Sequence, residues 1–251
     1  MALQEELESQ GNWLFKYRSF LPLVILILAI PIYLRRDLHP EEYLFYREEY
    51  ASFLIYFGLA VGLAGLIIRI YTVGHTPKNT SGRNTKEGQL ADTLNTTGIY
   101  SVVRHPLYLG NFLMWLGPAI LTGHLWFILS FILMYWVYYE RIMFAEEQFL
   151  RKKFGDQYLE WSQQVPAFIP KWKGFKKSNL HFSWKKVLRK EKNGLFALFL
   201  IFCAFDICGV LIHNKPEINL FLASFTTFTG ILYFVLKVLK RKTTLLNEVD
   251  R

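Results

Sequence analysis

The sequence predicts an all-α integral membrane protein of about six transmembrane helices, and three observations carry that expectation. Of 251 residues, 52% are hydrophobic and 20% charged, yet the two kinds are segregated: the runs 20–34, 51–68, 125–139 and 194–212 hold almost no charge. Six apolar stretches, 14–34, 50–73, 106–122, 125–140, 194–213 and 218–236, approach the roughly 17 to 25 helical residues that a bilayer core of about 30 Å requires. Lys and Arg are uneven between them: alternate flanking regions hold 24 against 4, with Arg69 inside a span. By the positive-inside rule, both termini are expected on the cytoplasmic side. Such segregation excludes a disordered chain, a coiled coil and an ordinary soluble domain.

Taken in order, the first stretch follows Glu5, Glu6 and Glu8 without a basic leader or a small-residue cleavage site, so it is expected to stay in the protein. The second carries Gly58, Gly62 and Gly65 on a small-residue stripe, a pattern that permits close helix packing. A polar connection follows, His75 to Thr97. The third and fourth stretches are separated only by Gly123 and His124, with Pro118 near the end of the third. They should form a tight helical hairpin whose first arm need not cross the whole bilayer.

Segment 141–193 has 13 basic and 5 acidic residues, and so supplies most of the net charge of +9. A cytoplasmic segment with an amphipathic part, held against anionic lipid, is the expected role. No nucleic-acid-binding module is visible, so no nucleic-acid partner is expected. In the fifth stretch Cys203 and Cys208 read as buried thiols, and Asp206 as a group that must face a neighbouring helix or a polar path. The chain thus divides into a two-span N-terminal region with a polar loop (1–96), a core of hairpin plus cytoplasmic cap (97–170), a basic linker (171–193) and a two-span C-terminal extension (194–251).

Reactive residue types concentrate at the open end of the hairpin. Pro106 suits the first turn of a helix, which places Arg104 and His105 at its N-terminus. Free N–H groups there and the planar guanidinium favour an anion. Tyr108 follows one turn later on the same side. Because the hairpin is tight, Glu146 and Glu147 at the end of its second arm should approach Arg104 and His105. Adjacent helical carboxylates point about 100° apart, so only one of them can face a given pocket.

The ordered set Arg104-His105-Pro106-Leu107-Tyr108-Leu109-Gly110, then Glu146-Glu147-Gln148-Phe149-Leu150, Phe154-Gly155-Asp156-Gln157-Tyr158 and Val165-Pro166-Ala167-Phe168-Ile169-Pro170 resembles the core of the isoprenylcysteine carboxyl methyltransferase and phospholipid methyltransferase family. The resemblance runs from about Thr97 to Pro170. It implies a membrane enzyme that binds S-adenosylmethionine at the cytoplasmic face. Arg104, His105, Tyr108, Glu146 and Glu147 are then the cofactor-binding candidates, with Arg104 and His105 also the catalytic ones, and Phe154 to Pro170 covers the pocket. Trp161 departs from the family pattern, and the last two spans lie outside the common core. No Gly-x-Gly-x-x-Gly element in a βαβ setting offers a soluble-type nucleotide site.

The expected acceptor is a membrane lipid or lipidated molecule arriving from the bilayer. A phosphate or carboxylate is already anionic near neutral pH, whereas an amine with a pKa of about 10.4 must first lose a proton. O-methylation is therefore favoured, with Lys78 and Arg83 in the polar loop as acceptor-binding candidates and His75 as a possible base. Two other readings fit parts of the pattern: an NADPH-dependent sterol- or enone-type reductase, and a non-catalytic scaffold docking through its basic segment.

Overall fold

The computed structural model describes residues 2–18, 20–36, 38–43, 50–77, 89–213 and 218–248. They form eight α-helices: α1 (Leu3–Tyr17), α2 (Leu21–Arg35), α3 (Ala51–Gly74), α4 (Pro106–Leu121), α5 (Leu125–Phe154), α6 (Asp156–Gln164), α7 (Trp184–His213) and α8 (Leu220–Lys242). No strand occurs among the described residues beyond one isolated bridge between Gly98 and Lys176.

Four helices are long and apolar enough to cross a membrane: α3, α5, α8 and the Trp184–Leu211 part of α7. Helix α4 has 16 residues, about 24 Å at 1.5 Å per residue, and α2 is also short of full span length. Their outer faces carry exposed large apolar side chains, among them Phe53 and Phe57 on α3, Leu133 and Trp136 on α5 and Phe228 and Phe234 on α8. Such continuous apolar faces belong in lipid. The protein is a multi-pass integral membrane protein.

The first expected span, 14–34, is two helices. Pro22 in the first turn of α2 has no N–H to continue a helix and its fixed φ suits a new start, so α1 ends at Tyr17 and a separate helix follows. Helix α1 runs antiparallel along α5. Gly11 makes the close approach possible, since a Cβ there would sit 2.1 Å from the Arg141 carbonyl oxygen. Tyr138 donates to the Leu14 carbonyl (3.1 Å), Arg141 Nε to Gln10 Oε1 (2.9 Å) and Lys152 pairs with Glu8 (2.6 Å).

The glycine stripe on α3 packs as expected. Ideal Cβ atoms at Gly58 and Gly65 would fall 2.7 Å from the Gly117 oxygen and 2.4 Å from the Gly110 oxygen, and one at Gly62 would strike Leu198 of α7 at 2.6 Å. Glycines seven residues apart on both helices therefore let α3 and α4 touch backbone to backbone, antiparallel, along two helical turns. The α4–α5 hairpin turns at Gly123, whose φ of 69° is natural only to glycine, and His124 caps α5 by accepting from the Phe127 N–H. Arg36, fully buried, donates to the Leu121 carbonyl at the other end of α4 (2.9 Å) and lies over the Tyr33 ring. Helices α2, α3, α4, α7 and α8 meet in one core through Ala29, Leu59, Leu121, Leu198, Phe202 and Leu222.

Two boundaries differ from the sequence reading. Helix α5 continues 14 residues past the expected end at Tyr139–Glu140, as one unbroken helix to Phe154, because Arg151, Lys152 and Lys153 in its last turn suit the negative end of the dipole. Helix α7 starts at Trp184, so half of the presumed basic linker is helical. Asp206 on α7 accepts the Asn219 N–H at the start of α8 (2.8 Å): a helix-to-helix hydrogen bond.

Candidate active site

The site is built where the polar ends of α3, α4, α5 and α7 converge. His105 is the N-cap of α4, with Pro106 in its first turn. The segment Val165 to Lys171 lies against residues 102–105 like a strap: Pro166 O accepts from Arg104 N (2.9 Å), Ala167 O from His105 N (3.1 Å) and Val102 O from Lys171 N (2.9 Å). Phe168 pins that strap to the hairpin against Phe112 and Trp136. The main-chain donors of Arg104 and His105, expected to be free for an anion, are thus occupied by the strap.

The glutamate pair divides as adjacent helical residues must. Glu147 turns inward and accepts from Arg104 Nε (2.9 Å), Arg104 Nη2 (3.3 Å) and His105 Nε2 (2.8 Å). Arg104 Nη1 meanwhile donates to the carbonyls of Ser162 (2.7 Å) and Val165 (3.0 Å) at the end of α6. One guanidinium therefore ties α4, α5 and α6 together. Glu146 faces the other way, accepting from the Tyr108 hydroxyl (2.9 Å), with His105 Nδ1 at 3.7 Å. It lines the cavity together with Arg104, His105 and Tyr108.

Gly155 explains part of the sequence motif that follows. Its φ of 54° ends α5 and redirects the chain into α6, which lays Tyr158 and Trp161 over the cavity. Trp161 Nε1 donates to the Tyr100 carbonyl (3.0 Å). The Tyr158 hydroxyl is buried beside the Glu147 charge without a well-formed hydrogen bond. Burial first, and that charge second, push its phenol well above the ordinary tyrosine range. Burial does the same to Tyr100, reinforced by Glu146. Both phenols stay neutral donors at physiological pH.

The cavity has a volume of about 440 Å³ and extends well beyond the expected residues. Its far side is walled by Arg69 of α3, Asn111 of α4 and Glu191 of α7. Arg69 makes a two-pronged pair with Glu191 (2.8 Å each) and donates to Asn111 Oδ1 (2.6 Å). Sequence reasoning passed over this cluster. In the sequence Arg69 is one basic residue inside a span, Asn111 carries no motif, and Glu191 lies 122 residues away within a run of lysines. An acid placed alone among cations was the available signal. His75 lies outside this cavity, wedged between Tyr71 and Phe182 with Nδ1 3.0 Å from the Tyr71 carbonyl. Lys78 and Arg83 lie outside the described residues.

The phospholipid methyltransferase family model matches residues 53–157, from the start of α3 to the start of α6. Among curated relatives, the protein-S-isoprenylcysteine O-methyltransferase of Schizosaccharomyces pombe is 40% identical over 77 residues, 31% of this chain and 33% of its own. Protein-S-isoprenylcysteine O-methyltransferase B of Arabidopsis thaliana is 34% identical over 118 residues, 45% of this chain and 58% of its own. The chain thus spans between a third and three-fifths of the length of these relatives. A solved structure of the eukaryotic intramembrane Ras methyltransferase, isoprenylcysteine carboxyl methyltransferase, aligns over 63% of this chain and 54% of that one, at a TM-score of 0.45 and 23% identity. The motifs, the family match and the curated relatives point the same way: residues 53–157 match the phospholipid methyltransferase family model, and this region is similar to the isoprenylcysteine O-methyltransferases.

Proposed function

We propose that this protein is an S-adenosylmethionine-dependent membrane methyltransferase that esterifies a carboxylate on a lipidated acceptor, an isoprenylated cysteine being the acceptor named for its relatives. The observation that carries the reading is the cavity-facing carboxylate of Glu146, held by Tyr108 beside His105. A sulfonium cofactor is cationic at its reacting centre, so a fixed anion at its pocket favours binding.

The residues present fit that cofactor. A cavity of about 440 Å³ is within the size of ligand pockets for molecules of this kind, and Tyr108, Tyr158 and Glu146 line it. Glu146, Tyr108 and Tyr158 are the groups proposed to hold it, with Trp161 covering the pocket. When bound, S-adenosylmethionine supplies an electrophilic methyl group that a carboxylate oxygen takes in one in-line displacement, the bonding pair leaving with sulfur. The protein has little proton chemistry to perform. Its part is to hold two reactants at about 3 to 3.5 Å and exclude water. Arg104 and Glu147 contribute by locking α4, α5 and α6 into one frame, and His105, bonded to Glu147 through Nε2, is held with its Nδ1 toward Glu146.

The same reading has six membrane segments, with the short α2 and α4 completing the four long ones, and puts both termini, the amphipathic α6 and the cavity on the cytoplasmic side. The excess of Lys and Arg on that side supports it. Membranes carrying the protein should be incubated with methyl-labelled S-adenosylmethionine and an S-farnesylcysteine acceptor. Label that base releases as methanol identifies a methyl ester. Label stable to base, or hydride transfer from NADPH without methylation, would overturn the proposal.

A further inference from the structure

Resting on the methyltransferase reading, the cavity's charge distribution points to a role for the C-terminal helices, which lie outside the family match at residues 53–157. Its walls are polarised. The α5 wall presents Glu146, with Arg18 and the Glu147-paired Arg104 nearby, while α7 and α8 present Arg189, Lys192 and Lys240 and no carboxylate but Glu191. Glu191, the acid within this basic wall, is already matched by Arg69 in a two-pronged pair. The three cations have no such match. Among the described residues none has a carboxylate within ion-pair distance: Lys192 donates to the Arg189 carbonyl (2.6 Å) and Arg189 reaches the neutral Asn247 side chain (3.4 Å). Lys192 is only 8% exposed, and Arg189 and Lys240 are the charges that act on it. Packing like charges together beside a buried lysine is unfavourable unless an anion joins them.

Position strengthens the case. Arg189 and Lys192 are three residues apart and so share one face of α7, and Glu191 anchors α7 to α3 at that level. The helix is fixed where its cations face the cavity. Loose surface lysines meeting lipid headgroups would need no such anchor.

We propose that Arg189, Lys192 and Lys240 form an anion subsite that binds the carboxylate of the methyl acceptor. Glu146 and the three cations then sort two ligands of opposite charge to opposite walls of one cavity, the sulfonium toward α5 and the acceptor carboxylate toward α7 and α8. The C-terminal extension becomes an acceptor-recognition element added to a cofactor-binding core.

The test uses the full chain in nanodiscs and two probes, N-acetyl-S-farnesylcysteine and its carboxamide, with affinities for S-adenosylhomocysteine measured alongside. Wild-type protein should bind the carboxylate at least about tenfold more tightly than the carboxamide, the range of a charge-assisted hydrogen bond. The Arg189→Gln/Lys192→Gln/Lys240→Gln variant should lose that preference and keep its S-adenosylhomocysteine affinity within about twofold. An Arg189→Lys/Lys192→Arg/Lys240→Arg variant should retain the preference. Lys240 is exposed, so Lys240→Gln alone reads the charge without disturbing buried packing and should reduce the preference severalfold. Equal binding of both probes by wild-type protein, or binding of neither, overturns the subsite. Loss of S-adenosylhomocysteine affinity in the neutral variant with the carboxylate preference intact also overturns it, assigning the cations to the cofactor's own carboxylate. Carboxylate preference that depends on the three cations, with no methyl transfer by wild-type protein, supports the subsite while sinking the methyltransferase reading.

Discussion

Replacing Glu147 with Gln separates the structural carboxylate from the functional one. Glu147 accepts three hydrogen bonds, two from Arg104 and one from His105, and the ion pair is mostly enclosed, with side-chain exposures of 17% and 22%. An amide keeps one acceptor oxygen and turns an NH2 group toward a guanidinium or an imidazole. Charge-assisted bonds contribute about 1.5 to 3 kcal/mol each against about 1 for neutral ones. Arg104 still reaches two backbone carbonyls, so a net loss of about 2 to 4 kcal/mol is expected. For a chain of this size, that lowers the melting temperature by roughly 4 to 16 °C. Glu146→Gln removes a carboxylate that faces the cavity and whose single hydrogen bond, from Tyr108, links α5 to α4 alone. It should leave the melting temperature within about 2 °C and weaken S-adenosylhomocysteine binding by about tenfold or more. Melting in detergent and calorimetric titration on the two variants decide the matter. If Glu146→Gln unfolds the protein while Glu147→Gln only weakens ligand binding, the division of roles is reversed and the reasoning fails.

Tyr108→Phe deletes the donor that fixes Glu146, and should raise the KM for S-adenosylmethionine severalfold with little change in melting temperature; an unchanged KM would remove Tyr108 from the site. Gly65→Val forces a side chain into the 2.4 Å gap to the Gly110 oxygen, so folded yield from membranes should collapse, whereas Gly174→Val should be milder because nothing lies within 4 Å of its Cβ, even with its φ of 95°. Tyr158 supplies a pH test. Its folded-state phenol is held above the ordinary value by burial and then by Glu147, so its contribution is present below about pH 10 and is lost as pH rises further, where the unfolded phenol ionises. Tyr158→Phe should flatten that alkaline loss of stability, and an identical alkaline slope in both proteins would contradict it.

Much of this was legible before any coordinates. Segregated apolar runs, the α4–α5 hairpin and the Gly58, Gly62 and Gly65 stripe are local patterns with direct physical consequences, and each has its counterpart in the fold. The meeting of Arg104, His105 and Tyr108 with Glu146 and Glu147 followed from the tightness of one turn. What stayed hidden depends on long-range partners. The strap that takes the Arg104 and His105 N–H groups comes from residues 166–167, and no periodicity announces a main-chain pairing across 60 residues. The separateness of α1 is hidden because the apolar run 14–34 continues through Pro22, although a proline there also marks a helix start. Arg69 and Glu191 each looked ordinary alone, and only the packing of α7 on α3 makes them a pair.

The placement of that pair bears on how the chain works as a unit. Arg69 is on α3, inside the region that the family model matches; Glu191 is on α7, outside it, and both line the cavity. Asn111 ties the same guanidinium to α4, a little under one turn from Tyr108. The extension therefore joins the core where ligands would bind, through a bond network only partly open to water. Truncating α7 and α8 would leave the Arg69 charge half-buried without its carboxylate, so the expected result is a damaged core rather than a smaller enzyme of altered specificity. Neutralising both members together, Arg69→Met with Glu191→Leu, removes the charges without stranding either and should be tolerated better than Glu191→Leu alone by about 2 kcal/mol or more. A double-mutant cycle on melting in nanodiscs measures that coupling, and additive effects would mean that α7 packs on the core through Leu198 and Phe202 alone.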